Sequence, residues 1–522
     1  MMQLKSVVAA VVAATLVAAC GDGGGDNLGT VNTSAARGAL VQSPPVRTTS
    51  MSALDFTASL QASSTGQGLL QLGGTPACGV DVQYLKYGTV GAKGEATTST
   101  GALMVPTGAD AKCSGPRPIL LFAHGTNISK AYNLADFADK ANEAYSQAVM
   151  LAAIYAAQGY IVVAPNYAGY ADSTLNYHPY LNADQASKEM IDALAAAKTA
   201  LPTLAASVQA SSKLFISGYS QGGHAAMATH REMQKLGMPV TASAPMSGPY
   251  AMAAMGDAIF AGSVNLSSTI FIPFTVASYQ QAYGDMYSTP ADIYETAFAA
   301  EYSSILPGTY NFDTILSSGK VPATALFSST SPAPGFEAYT PPSGNPLFAL
   351  GFGTGNLINN SARLSYLMDA MANPDGAVPM TTGAQAGAPQ SPFRKALKKN
   401  DLRDWRPNAP VMLCGGNGDP VVYYSLNTEL MQGLWSTPGS PLQVASPALL
   451  TVLDVDSLAT STGPANDPFY AAKYGFAQAK SGTAAAAGAD PVAQATAVML
   501  KYHGELVPPF CTAAARGFFS QF

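Results

Sequence analysis

Short apolar runs alternate along the first half of the chain with stretches whose apolar residues recur at helical spacing. Four-to-eight-residue apolar runs are typical of buried strands, whereas apolar residues spaced three and four apart indicate helices. The predicted strands cover residues 118–126, 160–167, 213–220 and 241–248. The predicted helices cover residues 136–158, 182–201 and 221–237, with Asn182 and Gln185 as a capping pair at the second. This alternation predicts an α/β fold whose central sheet is mostly parallel and covered on both faces.

Two β-rich runs precede this unit and predict an antiparallel hairpin at residues 82–106, with its turn at GAKG. The strand–helix rhythm stops at about residue 250, where the chain becomes rich in Tyr, Phe, Ser, Pro and Gly. It resumes with APVMLCGGNGD at 409–419 and ALLTVLDVDS at 448–457. We therefore expect a core of residues 70–249 and 406–522, with 250–405 inserted as a mainly helical cap; the alternative is a separate domain.

The N-terminus reads as a targeting segment. Residues 1–20 carry Lys5 and a short apolar stretch that ends in LVAAC, and the stretch is too short for a comfortable membrane span. Small residues before a cysteine resemble a bacterial lipobox, which would make Cys20 a lipidation site on an exported, membrane-attached protein. Ordinary cleavage with an incidental Cys20 is the alternative. The glycine-rich residues that follow predict a flexible tether over 21–50.

Composition excludes some functions. Only 11% of residues are charged, the net charge is −6, and no basic stripe exists, so a nucleic-acid partner is not expected. The basic cluster at 393–403 is the solvated side of a helix in our interpretation. Histidines and acids do not cluster at metal-ligand spacing, and no glycine-rich phosphate loop follows a strand. We expect neither a metal nor a cofactor.

The stretch GYSQG at 218–222 lies between a predicted strand and a predicted helix. This context indicates a nucleophile elbow, in which Ser220 is presented on a sharp turn. Gly218 and Gly222 would be needed because the residues two before and two after the serine approach closely. A tight turn that serves packing alone is the alternative.

A serine nucleophile needs a general base, and the base needs an orienting acid. In this fold class the order along the chain is serine, acid, histidine, and His503 is the one histidine of five that lies downstream of the elbow helix. Asp419 follows the strand VMLC at the sheet edge where ligands bind, which favours it as the acid. Asp454 and Asp456 are the rivals.

The developing oxyanion requires two N–H donors. The backbone of Gln221, directly after the nucleophile, is one candidate. The other is the backbone of Thr126 in HGTNIS, where Gly125 allows a close approach and His124 is structural.

Five cysteines are present, and four remain when Cys20 is set aside, which predicts two disulfides in an exported protein. Four cysteines allow three pairings. We favour Cys78–Cys113, which are near in sequence, and Cys414–Cys511, which would pin the His503 segment to the strand before Asp419.

Together the motifs FAHGT, PNYAGY, HPYL, GYSQGGHAA, SGPY, DWRPNAP and GDPVV resemble the α/β-hydrolase superfamily and, more narrowly, the secretory lipase family first known from yeasts. The resemblance covers about residues 70–522. It implies carboxylic-ester hydrolysis, a triad of Ser220, Asp419 and His503, no cofactor, and a large helical cap. Asn166 departs from the pattern, since an aspartate is expected there, and lipid anchoring is not a feature of the yeast members.

The sequence thus predicts a serine ester hydrolase that acts on apolar or lipid esters. An acyltransferase or amidase with the same triad is the first alternative. A non-catalytic surface binding protein with a hydrolase fold is the second, and a structural lipoprotein with an accidental elbow motif is the third.

Overall fold

The computed structural model describes residues 35–204, 207–300, 306–341 and 346–522. Cys20, the targeting segment and the first part of the expected tether lie outside these residues. The strands are β1 (Val46–Met51), β2 (Gly79–Val90), β3 (Ala96–Thr107), β4 (Gly115–Ala123), β5 (Ile161–Pro165), β6 (Val208–Tyr219), β7 (Ala242–Met246), β8 (Phe327–Ser328), β9 (Phe352–Gly353), β10 (Val411–Gly415) and β11 (Leu450–Asp454).

Helices lie between most of these strands and also form the C-terminal part of the described chain. The α-helices are α1 (Ala53–Gln61), α2 (Ser64–Gly73), α3 (Tyr145–Ile154), α4 (Ala183–Leu204), α5 (Gln221–Lys235), α6 (Met252–Phe260), α7 (Ser268–Tyr283), α8 (Thr296–Ala299), α9 (Phe312–Ser317), α10 (Pro346–Ala349), α11 (Asn360–Ala372), α12 (Pro392–Lys399), α13 (Leu430–Ser436), α14 (Tyr470–Ala486), α15 (Pro491–Lys501) and α16 (Val507–Phe519). In the described residues, no helix has both the length and the apolarity that a membrane span requires.

Nine of the described strands form one sheet in the order β1-β2-β3-β5-β4-β6-β7-β10-β11. The pairings from β1 through β2 and β3 to β5 are antiparallel, and those from β5 through β4, β6, β7 and β10 to β11 are parallel. Every residue of β5, β7 and β10 is buried, as expected for strands covered on both faces. The predicted α/β architecture, with its antiparallel hairpin, is confirmed.

The inserted segment contains more helix than strand, which is consistent with the expected cap. Helices α6 to α12 lie in it, and the two-residue strands β8 and β9 pair with each other rather than with the central sheet. Its apolar side chains form a hydrophobic cluster of their own, in which residues of α6, α7, α11 and α12 pack together.

Two local predictions were wrong. Part of the expected tether is a strand, since β1 pairs with β2 along the sheet edge; its polar side chains are mostly exposed, so its sequence carries no apolar signal. The predicted helix 136–158 is shorter, because the carboxylate or amide oxygens of Asp136, Asp139 and Asn142 accept nearby backbone N–H groups and hold non-helical turns before α3.

Candidate active site

The turn between β6 and α5 presents Ser220 in a strained conformation. Its φ is 59° and its ψ is −121°, a combination that L-residues rarely adopt. A Cβ atom at Gly218 would lie 2.2 Å from the carbonyl oxygen of Gly222, and one at Gly222 would lie 2.0 Å from that of Ala123. Any side chain at either glycine would therefore push the elbow apart.

Ser220, His503 and Asp419 lie in one hydrogen-bonded line. Ser220 Oγ is 2.8 Å from His503 Nε2, and His503 Nδ1 is 2.6 Å from Asp419 Oδ2. The other carboxylate oxygen, Asp419 Oδ1, accepts the backbone N–H groups of Val421 and Val422 at 2.9 and 3.0 Å. These bonds fix the carboxylate, and the carboxylate orients the imidazole so that Nε2 can accept the serine proton.

His503 lies in a π-helical turn, Tyr502–Leu506, whose position is set by contacts distant in sequence. The hydroxyl of Tyr219 donates to the His503 carbonyl oxygen at 2.6 Å. Eight residues further on, Cys511 in α16 forms a disulfide with Cys414 in β10. The predicted link between the histidine segment and the strand before the acid is therefore present. The second predicted disulfide, Cys78–Cys113, is present too.

The two rival acids support the turn that carries Asp419. Asp454 lies opposite Gly415 in the β10–β11 register, and its carboxylate accepts both the backbone N–H and the side-chain amide of Asn417, at 3.1 and 2.7 Å. The same carboxylate accepts the backbone N–H of Asp456 at 2.9 Å, and burial raises the pKa of Asp454. Neither rival hydrogen-bonds to His503 among the described contacts.

Tyr502 joins the acid turn to the histidine, and the sequence analysis did not anticipate it. Its hydroxyl accepts the Gly418 N–H at 3.0 Å and donates to Asp456 Oδ2 at 2.7 Å, and Lys480 donates to that same oxygen at 2.6 Å. A Cβ atom at Gly416 would lie 2.6 Å from this hydroxyl. Two features of the sequence could have indicated this contact: the tyrosine directly before His503 and the glycines of GGNGD.

The other four histidines are buried, and burial lowers their pKa. The pKa falls to about 4 for His124, His224 and His230 and to about 3 for His178. Each contacts a backbone carbonyl or a hydroxyl of the surrounding fold: Gly125 and Asn166 for His124, Ala168 for His178, Asn400 for His224 and Ser243 for His230. They are neutral structural groups at neutral pH.

Asn166, which departs from the family pattern, has a structural role that an aspartate could not reproduce. Its side chain donates to Thr100 Oγ1 and Asn133 Oδ1 and accepts the Leu134 N–H, with all three distances between 2.8 and 3.0 Å. The amide thereby fixes the loop after β4, the loop that carries Thr126.

The predicted oxyanion-hole residues face the same pocket as Ser220. Gln221 is the first residue of α5, and the first N–H groups of a helix have no partner within it. Thr126 lines the pocket with its hydroxyl 2.9 Å from the Tyr180 hydroxyl. A Cβ atom at Gly125 would lie 3.7 Å from that of Ser220, so this loop runs directly beside the nucleophile.

The Gln221 side chain is held by a histidine. Its amide nitrogen lies 2.7 Å from His178 Nε2, and His178 Nδ1 lies 2.9 Å from the Ala168 carbonyl oxygen. A neutral imidazole can accept at Nε2 and donate at Nδ1, which matches its lowered pKa. The hydrogen bond between His178 and the Gln221 side chain fixes the first residue of α5, which carries one of the two proposed oxyanion donors.

A largely apolar pocket opens beside Ser220. Core loops supply one side and cap helices α6, α7 and α12 supply the other. Its apolar lining residues are Leu181, Pro249, Met252, Met255, Ile259, Phe271, Ile272, Phe393, Leu397, Val421 and Val422. Among the described residues, no group of three or more His, Cys, Asp or Glu side chains could hold a metal ion.

Comparison with known proteins identifies related hydrolases. The family model for the prolyl oligopeptidase family matches residues 146–261. No curated protein matches the sequence. The crystal structure of a point mutant of the rice cell wall degrading esterase LipA from Xanthomonas oryzae is 26% identical, with a TM-score of 0.60, over 84% of this chain and 95% of that one.

Two further structures agree with this result. Another LipA structure from Xanthomonas oryzae is 25% identical, with a TM-score of 0.60, and the match covers 90% of this chain and 99% of that one. A putative hydrolase from Legionella pneumophila is 18% identical, with a TM-score of 0.58, over 91% and 96% of the two chains, and shares the fold. The fold and these likenesses together identify the chain as a serine hydrolase of the α/β-hydrolase superfamily.

Proposed function

We propose that this protein is a carboxylic-ester hydrolase that uses Ser220, His503 and Asp419 and accepts esters of apolar acids. The observation that carries the proposal is the hydrogen-bonded line from Asp419 through His503 to Ser220, which ends at an apolar pocket. The LipA structures, described as those of a cell wall degrading esterase, support the same reaction class.

In the proposed reaction, Ser220 Oγ attacks the ester carbonyl carbon while its proton passes to His503 Nε2. Asp419 holds the Nδ1–H and stabilises the imidazolium that forms. The N–H groups of Gln221 and Thr126 bind the oxyanion. His503 then protonates the leaving alcohol. In the second half, His503 Nε2 takes a proton from water as the water attacks the acyl-enzyme carbonyl carbon, and it returns that proton to Ser220 Oγ when the carboxylic acid is released.

The test is hydrolysis of p-nitrophenyl esters from acetate to palmitate by the wild type and Ser220→Ala. We expect the variant to lose at least about 10³-fold in kcat, since only binding and the oxyanion donors remain. Ser212→Ala, an exposed serine on β6, is the matched control and should keep wild-type activity. Equal activity in Ser220→Ala and wild type would remove the proposed nucleophile.

Amide cleavage is a second candidate, because the matching family model is named for peptidases. The same enzyme preparation should be given short peptide p-nitroanilides, and acyl transfer should be measured as product partitioning toward an added alcohol. Faster turnover of the anilides than of any ester would favour the amidase. A folded protein that turns over none of these compounds would favour a binding role.

We also propose that the protein is exported and attached to a membrane through a lipid on Cys20. The two disulfides fit an oxidising compartment. Metabolic labelling with a fatty acid should mark the wild type and leave Cys20→Ser unlabelled. Labelling that persists in the variant would contradict the anchor.

A further inference from the structure

A second cavity of about 220 Å³ lies in the cap beside the active-site pocket. The two spaces share two lining residues, Ile272 in α7 and Phe393 in α12. Both side chains are 7% exposed, so they fill the space between the cavities. The active-site pocket therefore ends at these two side chains and not at the outer surface of the cap.

The separating wall is one side chain thick at Ile272 and Phe393, and elsewhere helices form it. In α6, Ile259 lines the active-site pocket, whereas its neighbour Phe260 lines the second cavity. In α7, Thr275 and Val276 divide in the same way. Consecutive residues of one helix point in different directions, so each helix forms part of the wall itself.

Phe393 is held in this wall by aromatic neighbours. Its ring centroid lies 6.2 Å from those of Phe260 and Tyr366, which stack on each other at 3.8 Å. These neighbours favour the closed position of Phe393, and removal of its ring would join the two spaces.

The far end of the second cavity reaches solvent. Its rim carries the exposed side chains of Asp292, Ser361 and Ser365, whereas the inner end at Ile272 and Phe393 is apolar. The apolar inner end would contact an acyl chain that passes Ile272 and Phe393, whereas the solvated rim limits the length of chain that stays buried.

We propose that Ile272 and Phe393 close an acyl tunnel and thereby set the acyl-chain length that the enzyme accepts. The inference rests on the proposed ester hydrolysis and adds the length of the acyl group to it. The wild type accepts acyl groups that end at the wall. Longer chains enter the second cavity when the wall is opened.

The test compares kcat/KM for p-nitrophenyl butyrate and p-nitrophenyl laurate. In Phe393→Ala the laurate-to-butyrate ratio should rise by at least about tenfold, since each further buried methylene contributes about fourfold. Phe352→Ala, a cap phenylalanine that lines neither space, is the matched control and should keep the wild-type ratio. Phe393→Leu and Ile272→Ala should raise the laurate-to-butyrate ratio by less, and they replace Phe393→Ala in the test if that variant unfolds.

A second variant identifies the route of the chain. Ser365→Trp, added to Phe393→Ala, fills the second cavity and should return the ratio to the wild-type value. An unchanged ratio in active Phe393→Ala, or a raised ratio that survives Ser365→Trp, overturns the tunnel while ester hydrolysis stands. A wild type that hydrolyses no ester of any length overturns both the proposed function and the tunnel.

Discussion

The nucleophile side and the acid–base side of the site are stabilised by different kinds of contact. Ser220 is positioned by backbone atoms that touch backbone atoms, since Gly218, Gly222 and Ala123 approach within distances that exclude a Cβ. All of these contacts lie at the carboxyl ends of the neighbouring strands β4 and β6 and in the first turn of α5. Such a turn has almost no freedom to adjust.

The acid–base side is positioned by side-chain contacts, each of which can be removed by a substitution without blocking the backbone. Asp419 and His503 are 84 residues apart in the chain. Their segments are held together by Tyr502, by the Cys414–Cys511 disulfide and by the carboxylates of Asp454 and Asp456. Each of these contacts contributes a part of the geometry. The difference predicts all-or-none effects on the nucleophile side and graded effects on the acid–base side.

The largest effect is expected at Gly222. In Gly222→Ala the new Cβ would lie 2.0 Å from the Ala123 carbonyl oxygen, so we expect destabilisation of more than about 3 kcal/mol and loss of activity. Thermal unfolding and esterase activity measure both. The control is Gly433→Ala in α13, where no atom lies within 4 Å and a gain of up to about 1 kcal/mol is expected. A wild-type Tm for Gly222→Ala would contradict the close approach.

The second effect concerns the disulfides. Cys414→Ser/Cys511→Ser opens a link of sequence separation 97, and Cys78→Ser/Cys113→Ser opens one of separation 35. Both double variants should lose about 4 kcal/mol of stability. At a temperature where both remain folded, kcat should fall in the first alone, because that link joins the strand before Asp419 to the segment after His503. Equal kcat values would show that the bridge does not position the histidine.

A smaller effect is expected for Tyr502→Phe, which removes the bonds to Gly418 and Asp456. The acid turn and the histidine would lose one connection, so kcat should fall about tenfold, which corresponds to about 1.4 kcal/mol, while KM stays unchanged. Tyr84→Phe, which loses an exposed bond to Asp172, is the matched control with unchanged kcat. A rise in KM without a fall in kcat would assign Tyr502 to substrate binding instead.

The stability of the nucleophile side should also depend on pH, because four neutral histidines are buried there. Their pKa values lie below the unfolded value of about 6.5, so the unfolded chain binds protons first and stability falls as pH drops from about 6.5 to about 4. In that window His230→Leu should reduce the slope of unfolding free energy against pH by up to about 1.4 kcal/mol per unit. Chemical denaturation at pH 6.5, 5.5 and 4.5 measures it, and an unchanged slope would contradict the buried neutral state.

Local sequence was sufficient to predict the elbow and to propose His503 as the base. A strand, Gly-x-Ser-x-Gly and a helix are consecutive in the chain, so the physical demand for two glycines around Ser220 is visible in five letters. His503 followed by elimination, because the chain has five histidines and one lies downstream of the elbow helix. The alternation of buried strands and helices likewise predicted the parallel part of the sheet.

Only the tertiary structure could separate Asp419 from Asp454 and Asp456. All three lie at or just after the ends of two neighbouring parallel strands, so all three lie at the same edge of the sheet. The bond to His503 and the supporting bonds from Asn417 and Tyr502 distinguish them. The wall formed by Ile272 and Phe393 depends in the same way on the packing of α7 against α12, since cavities arise from side chains that meet across long sequence separations and leave no local pattern.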